Sequence, residues 1–183
     1  MTDKRRLKIR DGVPGDVPRC LQLDHNYDTD TVLQVHLRDD VGERTITFRE
    51  TRLPRSMDVT YPSNEARLSQ ALAKEQCFLV ATDHDDDLLG YLIMLVDATH
   101  STATVRDVVV TPAYRRRGLG LRMLAIAQHW ARERDLKRIT AITQTKNHPG
   151  IGLCQRAGFI FCGYNDQYFT NQDIAVFFCL SLR

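Results

Sequence analysis

No stretch of this chain is apolar for long enough to cross a bilayer. The longest, Leu88 to Val96, is broken by Gly90 and Tyr91 and falls far short of the roughly 20 residues that a spanning helix needs. The start, Met1 to Arg10, is basic, but no apolar run follows it, so no secretory leader is expected. The five cysteines are odd in number, and no two stand at a C-x-x-C spacing. Neither a disulfide framework nor a metal ligand set is therefore expected, and reduced thiols in a cytoplasmic protein fit best. The acidic run from Asp83 to Asp87 is a turn facing water, because a hard cation needs ligands spaced to converge. A net charge of +2 over 183 residues gives no broad basic face for nucleic acid. No internal repeat or second composition regime interrupts the chain. What remains is a single domain over residues 1–183 with one sizeable core.

Periodicity and turn chemistry outline an α+β fold. Leu7 to Arg10 reads as a short strand, and Asp16 as the cap of a helix to about Asp24. Thr31 to Leu37 and Arg44 to Glu50 flank the turn formers Asp39, Asp40 and Gly42, which predicts a hairpin. Arg52 to Pro62, with two prolines, reads as loop, and Ser63 as the cap of a helix to about Lys74. Strands are expected over Cys77 to Ala81, Leu88 to Val96 and Thr102 to Val110. Leu121, Leu124, Ala127, Trp130 and Ala131 recur at three and four, placing an amphipathic helix over Gly118 to Asp135. Strand, short helix and two strands follow over Arg138 to Thr143, Pro149 to Ala157, Ile160 to Tyr164 and Ala175 to Leu182.

One segment carries chemistry: Val108-Val109-Val110-Thr111-Pro112-Ala113-Tyr114-Arg115-Arg116-Arg117-Gly118-Leu119-Gly120. A valine strand leads through a short loop into a helix. Gly118 and Gly120 let backbone amides approach an anion without Cβ atoms in the way. The helix start adds unsatisfied N–H groups and the positive end of its dipole, which together make a phosphate cradle. Each of Arg115, Arg116 and Arg117 either adds positive charge there or is a solvated side chain. The segment has neither the Lys-Ser/Thr of a P-loop nor the full G-x-G-x-x-G of a dinucleotide fold.

Arg115-x-x-Gly118-x-Gly120, preceded by Val110-Thr111-Pro112-Ala113-Tyr114, resembles the R/Q-x-x-G-x-G/A signature of the GNAT N-acetyltransferases. Downstream, Asn147 followed by Leu153-Cys154-Gln155-Arg156-Ala157-Gly158-Phe159 is similar to the family's N-x-x-A-x-x-L-Y-x-x-x-G-F. The resemblance covers Cys77 to Phe159 well and the ends in outline. It implies a central mixed, mostly antiparallel sheet with helices on both faces, and a splayed strand pair forming a cleft for acetyl-CoA as cosubstrate. It implies that Val108, Val109 and Val110 bond the pantetheine arm through main chain. The amides between Arg116 and Leu121, Leu119 included, then take the pyrophosphate. It gives Asn147 a contact with the cofactor arm; the residue type also suits a helix cap.

The chemistry so implied is direct transfer to an amine. A lysine-like amine, with a pKa of about 10.4, is mostly protonated near neutrality, so a base or a relay of waters must take its proton. Here the chain departs from the family. The tyrosine that acts as acid in many members is Cys154, either a proton donor or an apolar filler. The positions of a glutamate base are Ile142 or Thr104, which cannot serve. Asp107, on the valine strand, is the nearest remaining carboxylate; otherwise it pairs with a cation such as Arg106 or Arg138. His148 is a second candidate base.

The hairpin and the tail from Cys162 onward resemble in layout the streptothricin acetyltransferases. This implies a small-molecule amine with a polyamine arm, toward which Asp28, Asp30, Asp58 and Asp166 would contribute attraction. Two alternatives stay open: a protein N-terminal or lysine acetyltransferase, and a non-catalytic acyl-CoA binding module, motivated by Ile142 and Cys154. Homodimers are common in the family, though no segment encodes one.

Overall fold

A computed structural model describes residues 7–61, 63–72 and 76–182. Seven strands form the main sheet: β1 (Lys8–Asp11), β4 (Cys77–Thr82), β5 (Leu88–Asp97), β6 (Thr102–Val110), β7 (Arg138–Gln144), β8 (Ile160–Asn165) and β9 (Ala175–Ser181). Their order is β1-β4-β5-β6-β7-β9-β8, and the β6–β7 pair alone is parallel. β2 (Tyr27–Asp40) and β3 (Glu43–Val59) form a separate two-stranded sheet.

Helices cover both faces, as the family resemblance implies. On one face α3 (Leu119–Arg132) and α4 (His148–Arg156) bury Leu119, Met123, Leu124, Ala127, Ile151 and Cys154 against the sheet. On the other, α1 (Asp16–Leu21) and α2 (Glu65–Ser69) bury Val17, Cys20 and Leu68 against Phe78, Val80, Tyr91 and Ile93. β4 and β5 are apolar up to their last residues, Thr82 and Asp97, because they are covered on both sides. No helix among the described residues is long and apolar enough to cross a membrane.

Four local expectations are corrected. Residues 52–59 are strand, the second half of β3, not loop. Pro54 does not end the strand because the register jumps there: Thr31 stands opposite Arg52, whereas Thr29 stands opposite Met57. A proline without an N–H donor is tolerated at such an irregularity. The helix after residue 62 is shorter than expected and is capped by Asn64, whose side chain accepts from the Arg67 amide, not by Ser63. Ala73 and Lys74, its expected end, lie outside the described residues, as do Pro62 and the basic residues 1–6. Asp16 is not a cap but the first residue of α1, buried and ion-paired to Arg10 at 2.6 Å. The acidic turn is ordered by Asp83, whose carboxylate accepts from the amides of Asp85 and Asp87 at 3.0 Å each; ligand atoms of Asp83, His84 and Asp85 come within 4.8 Å of one another there.

Candidate active site

β6 is built in two halves. Ladder partners are Met94 with Val105 and Ile93 with Asp107, so Arg106 is an extra residue at a β-bulge. Ala103 and Val105 before it, and Val108 and Val110 after it, pack on the α3 face. Val109 packs on the α1–α2 face, which Asp107 shares by alternation. A bulge bends a strand and sharpens its twist. Pairing with β7 stops at that point, at Val105 opposite Ala141. Beyond it β7 stays with β9 as far as Gln144, while residues 107–110 stay with β5. The two strands part, and the β7-facing edge of residues 106–110 carries backbone groups that no strand completes.

The parting opens a cleft of about 1130 Å³. That exceeds the roughly 300–1,000 Å³ of a pocket for one drug-sized ligand. Val108, Val109 and Val110 line it, as do Arg115, Arg116, Gly118, Leu119, Gly120, Leu121 and Asn147. Arg117 is not among the lining residues; its guanidinium stands 5.4 Å from the Tyr114 ring centroid. Arg115 is a clamp, with Nε donating to the Val110 carbonyl at 2.9 Å and Nη2 to the Asp24 carbonyl at 2.8 Å.

Gly118 precedes α3 with φ +84°, a left-handed conformation that glycine adopts without the cost a Cβ imposes. This turn and the first residues of α3, 118–121, line the cleft, and a helix supplies no acceptor for its first amides. At Gly120 an added Cβ would touch the Leu153 methyls at 3.4 Å, so glycine keeps α3 close to α4. Asn147 caps α4, its Oδ1 accepting from the Gly150 amide at 2.9 Å. Cap and cleft wall are therefore one residue.

The opposite wall holds a polar cluster that the sequence pattern does not reveal. Asp107 is buried, and both its oxygens are engaged. Oδ1 accepts from the Tyr61 hydroxyl at 2.7 Å and from Arg67 Nη2 at 2.9 Å, and Oδ2 accepts from Arg67 Nε at 3.3 Å. Its cationic partner is thus Arg67, neither Arg106 nor Arg138. Arg67 Nη2 also donates to the Tyr61 oxygen at 2.5 Å. Tyr61, Arg67 and Asp107 all line the cleft. Burial, and then the Asp107 charge, push the Tyr61 phenol well above its ordinary value, so it stays neutral. A carboxylate within an apolar strand was the one available signal, since such a charge needs a partner. Nothing local points to residues 40 and 46 positions away. Nearby, His25 Nε2 meets the Tyr91 hydroxyl at 2.9 Å, and burial lowers the pKa of the imidazole.

The remaining candidates separate. Cys154 lies at the cleft floor, buried in the α3–α4 core, and burial pushes its thiol up to about 11. Thr104 and Ile142 line the cleft. His148 faces the hairpin instead, 3.6 Å from Glu50 and in a side recess with Asp28 and Asp30. Asp28 lines both recess and cleft; Asp58 stands opposite it in the hairpin ladder. Asp30 lies 3.7 Å from Arg52, and Asp166 is not among the cleft-lining residues.

The family profile described as "Acetyltransferase (GNAT) family" matches residues 43–159. The chain belongs to the GNAT acetyltransferase family. It is an acyltransferase that uses acetyl-CoA as cosubstrate. It is 28% identical over 160 residues to a streptothricin acetyltransferase of Streptomyces lavendulae, an alignment covering 85% of this chain and 82% of that one. A solved nourseothricin acetyltransferase superposes with TM-score 0.82 at 25% identity, covering 97% of this chain and 99% of that one. A Bacillus anthracis protein solved in complex with acetyl coenzyme A shares the fold at TM-score 0.79 and 22% identity, covering 96% and 98%.

Proposed function

We propose that this GNAT enzyme acetylates a primary amine of a small, polyamine-bearing molecule of the streptothricin class. The observation that carries this reading is the shape of the cleft. Its one end is the unpaired edge of β6 beside the amides that open α3. Its other end runs past Tyr61 and Asp107 to Asp28 on the hairpin. The first end suits a long cosubstrate with a pyrophosphate. Val108, Val109 and Val110 offer main-chain groups for the pantetheine arm, and the amides of residues 116–121 face the phosphates. The Arg116 side chain adds charge there, Arg115 fixes the turn, and Asn147 holds the start of α4 against the arm. Bound acetyl-CoA supplies an activated acyl group. The similarity to streptothricin and nourseothricin acetyltransferases supports the choice of acceptor.

Tyr61 and Asp107 form the amine end. Arg67 holds the Asp107 carboxylate in place through both its oxygens, and that carboxylate accepts from the Tyr61 hydroxyl. An incoming ammonium donates to the Tyr61 oxygen, Tyr61 passes its own proton to Asp107, and the phenol ends neutral. This relay avoids a free phenolate, which its burial disfavours. Cys154 fills the core where other members carry tyrosine. Its five free thiols also fit a reducing, cytoplasmic setting.

The test is incubation with acetyl-CoA and a panel of streptothricin, polyamines and peptide N-termini, read as CoA release and product mass. Addition of one acetyl group to streptothricin or a polyamine is the expected result. Acetylation of peptides alone would overturn the acceptor class, and acetyl-CoA binding without product would indicate a binding module.

A further inference from the structure

Cys162 and Cys179 sit on neighbouring strands at the edge of the main sheet. Phe161 stands opposite Phe178 and Gly163 opposite Phe177, so Cys162 is an extra residue at a second bulge. Its thiol meets that of Cys179, and the two Sγ atoms lie 2.7 Å apart. Even non-bonded carbon atoms, smaller than sulfur, pack only to about 3.5–4.0 Å. A disulfide bond measures about 2.05 Å, so little movement separates the pair from bonding. Cys162 is exposed and open to a small oxidant, whereas Cys20, Cys77 and Cys154 are buried.

We infer that Cys162 and Cys179 are a reversible dithiol–disulfide pair whose oxidant is a low-molecular-weight disulfide. The Cys162 thiolate attacks one sulfur of that disulfide, breaking its S–S bond and releasing one thiolate. Cys179 Sγ then attacks Cys162 Sγ in the mixed disulfide, forming the protein S–S bond and releasing the second thiolate. Both electrons pass to the small disulfide, and the two protein thiol protons end on the released thiols. Partial burial, and then the neighbouring Cys179, push the Cys162 thiol up to about 11. The thiolate is the attacking species, so the reaction speeds as pH rises.

The pair also has a line to the cleft. Cys179 shares a face of β9 with Phe177, two residues away, and Phe177 meets Tyr168 edge-on at a centroid distance of 5.5 Å. Tyr168 and Phe169 line the cleft, within the segment 166–174 that joins β8 to β9. A covalent tie between these strands steadies the base of that segment. Under the acetyltransferase reading, this wall of the cleft meets the acceptor.

The test is to equilibrate the protein with glutathione disulfide at neutral and mildly alkaline pH, then digest it without reduction. A linked Cys162–Cys179 peptide pair is expected, with loss of two hydrogens, faster formation at the higher pH, and reversal by dithiothreitol. Cys162→Ser should give no link, and Cys179→Ser only a glutathione adduct on Cys162. Two persistent thiols, or a stable mixed disulfide in the wild-type chain, would overturn the inference. Amide hydrogen exchange across residues 166–174 should slow several-fold in the linked form. Unchanged exchange would sever the pair from the cleft. Neither readout requires turnover, so a failure here is distinct from a failure of the proposed acceptor.

Discussion

Asp107→Ala removes a buried anion and leaves two groups stranded. Arg67 loses both carboxylate contacts, and the Tyr61 hydroxyl loses its acceptor. Breaking a buried ion pair by deleting one partner costs about 3–5 kcal/mol. The Asp107 side chain is 2% exposed but that of Arg67 is 26% exposed, so the stranded guanidinium regains some water and the lower figure applies. About 3 kcal/mol in a domain of this size lowers Tm by about 6–12 °C. Arg67→Met should cost as much or more, because it strands the more deeply buried partner. Tyr61→Phe loses two hydrogen bonds to charged groups, as donor to Asp107 and as acceptor from Arg67, but leaves that ion pair intact, so it should cost about 2 kcal/mol. The double variant Asp107→Ala/Arg67→Met should cost less than the sum of its singles, with a coupling of at least about 1 kcal/mol. Thermal denaturation of the wild type and the four variants provides the stability values, and the pH dependence of kcat/KM reports the proton relay. In the relay reading Tyr61→Phe lowers kcat by about 10²-fold or more while Tm moves only a few degrees. Additive losses in the cycle, or Tyr61→Phe with full activity, would refute the account of this cluster.

Three further expectations follow from the same geometry. An added Cβ at Gly90 would lie 2.4 Å from the Val109 carbonyl oxygen. Gly90→Ala should therefore push β5 from β6 beside the cleft, costing about 1–3 kcal/mol and raising the KM for acetyl-CoA, whereas Gly163→Ala, with open space around it, should do neither. Cys154→Ala should cost about 1 kcal/mol in denaturant titration as a small cavity forms, with kcat nearly unchanged; a fall of about 10²-fold would restore the thiol as an acid. His25 is held neutral by burial, its pKa below the ordinary value of about 6.5. Its contribution to stability is thus complete above that value and is lost as pH falls from there through the lower folded value. His25→Gln should flatten the denaturation midpoint in this window, and an unchanged slope would exclude His25 as its source.

The centre of the sheet was legible in the sequence because β4 and β5 are covered on both faces and read as apolar runs. β6 occupies the span Thr102 to Val110 that its valines indicate. The end of the cleft proposed for the cosubstrate was legible too, since glycines after a strand and before an amphipathic helix are contiguous in sequence. The amine end was not. Tyr61, Arg67 and Asp107 converge only through tertiary packing, and residues 52–59 hide a strand behind a proline. The bulge did leave a trace. Core-facing residues on β6 run 103, 105, 108, 110, a spacing of two, three, two where an unbroken strand has only twos.

That spacing separates what the chain needs to fold from what it needs to work. If Arg106 were excised, the side chains of β6 would alternate without interruption, and every residue would keep its present face. The hydrophobic layers would lose nothing, and the ladder with β5 would become regular. A shortened strand of this kind would straighten toward β7 and extend the parallel pairing past Val105, closing the gap proposed to take the cosubstrate. The cleft exists because this strand is one residue longer than its fold requires.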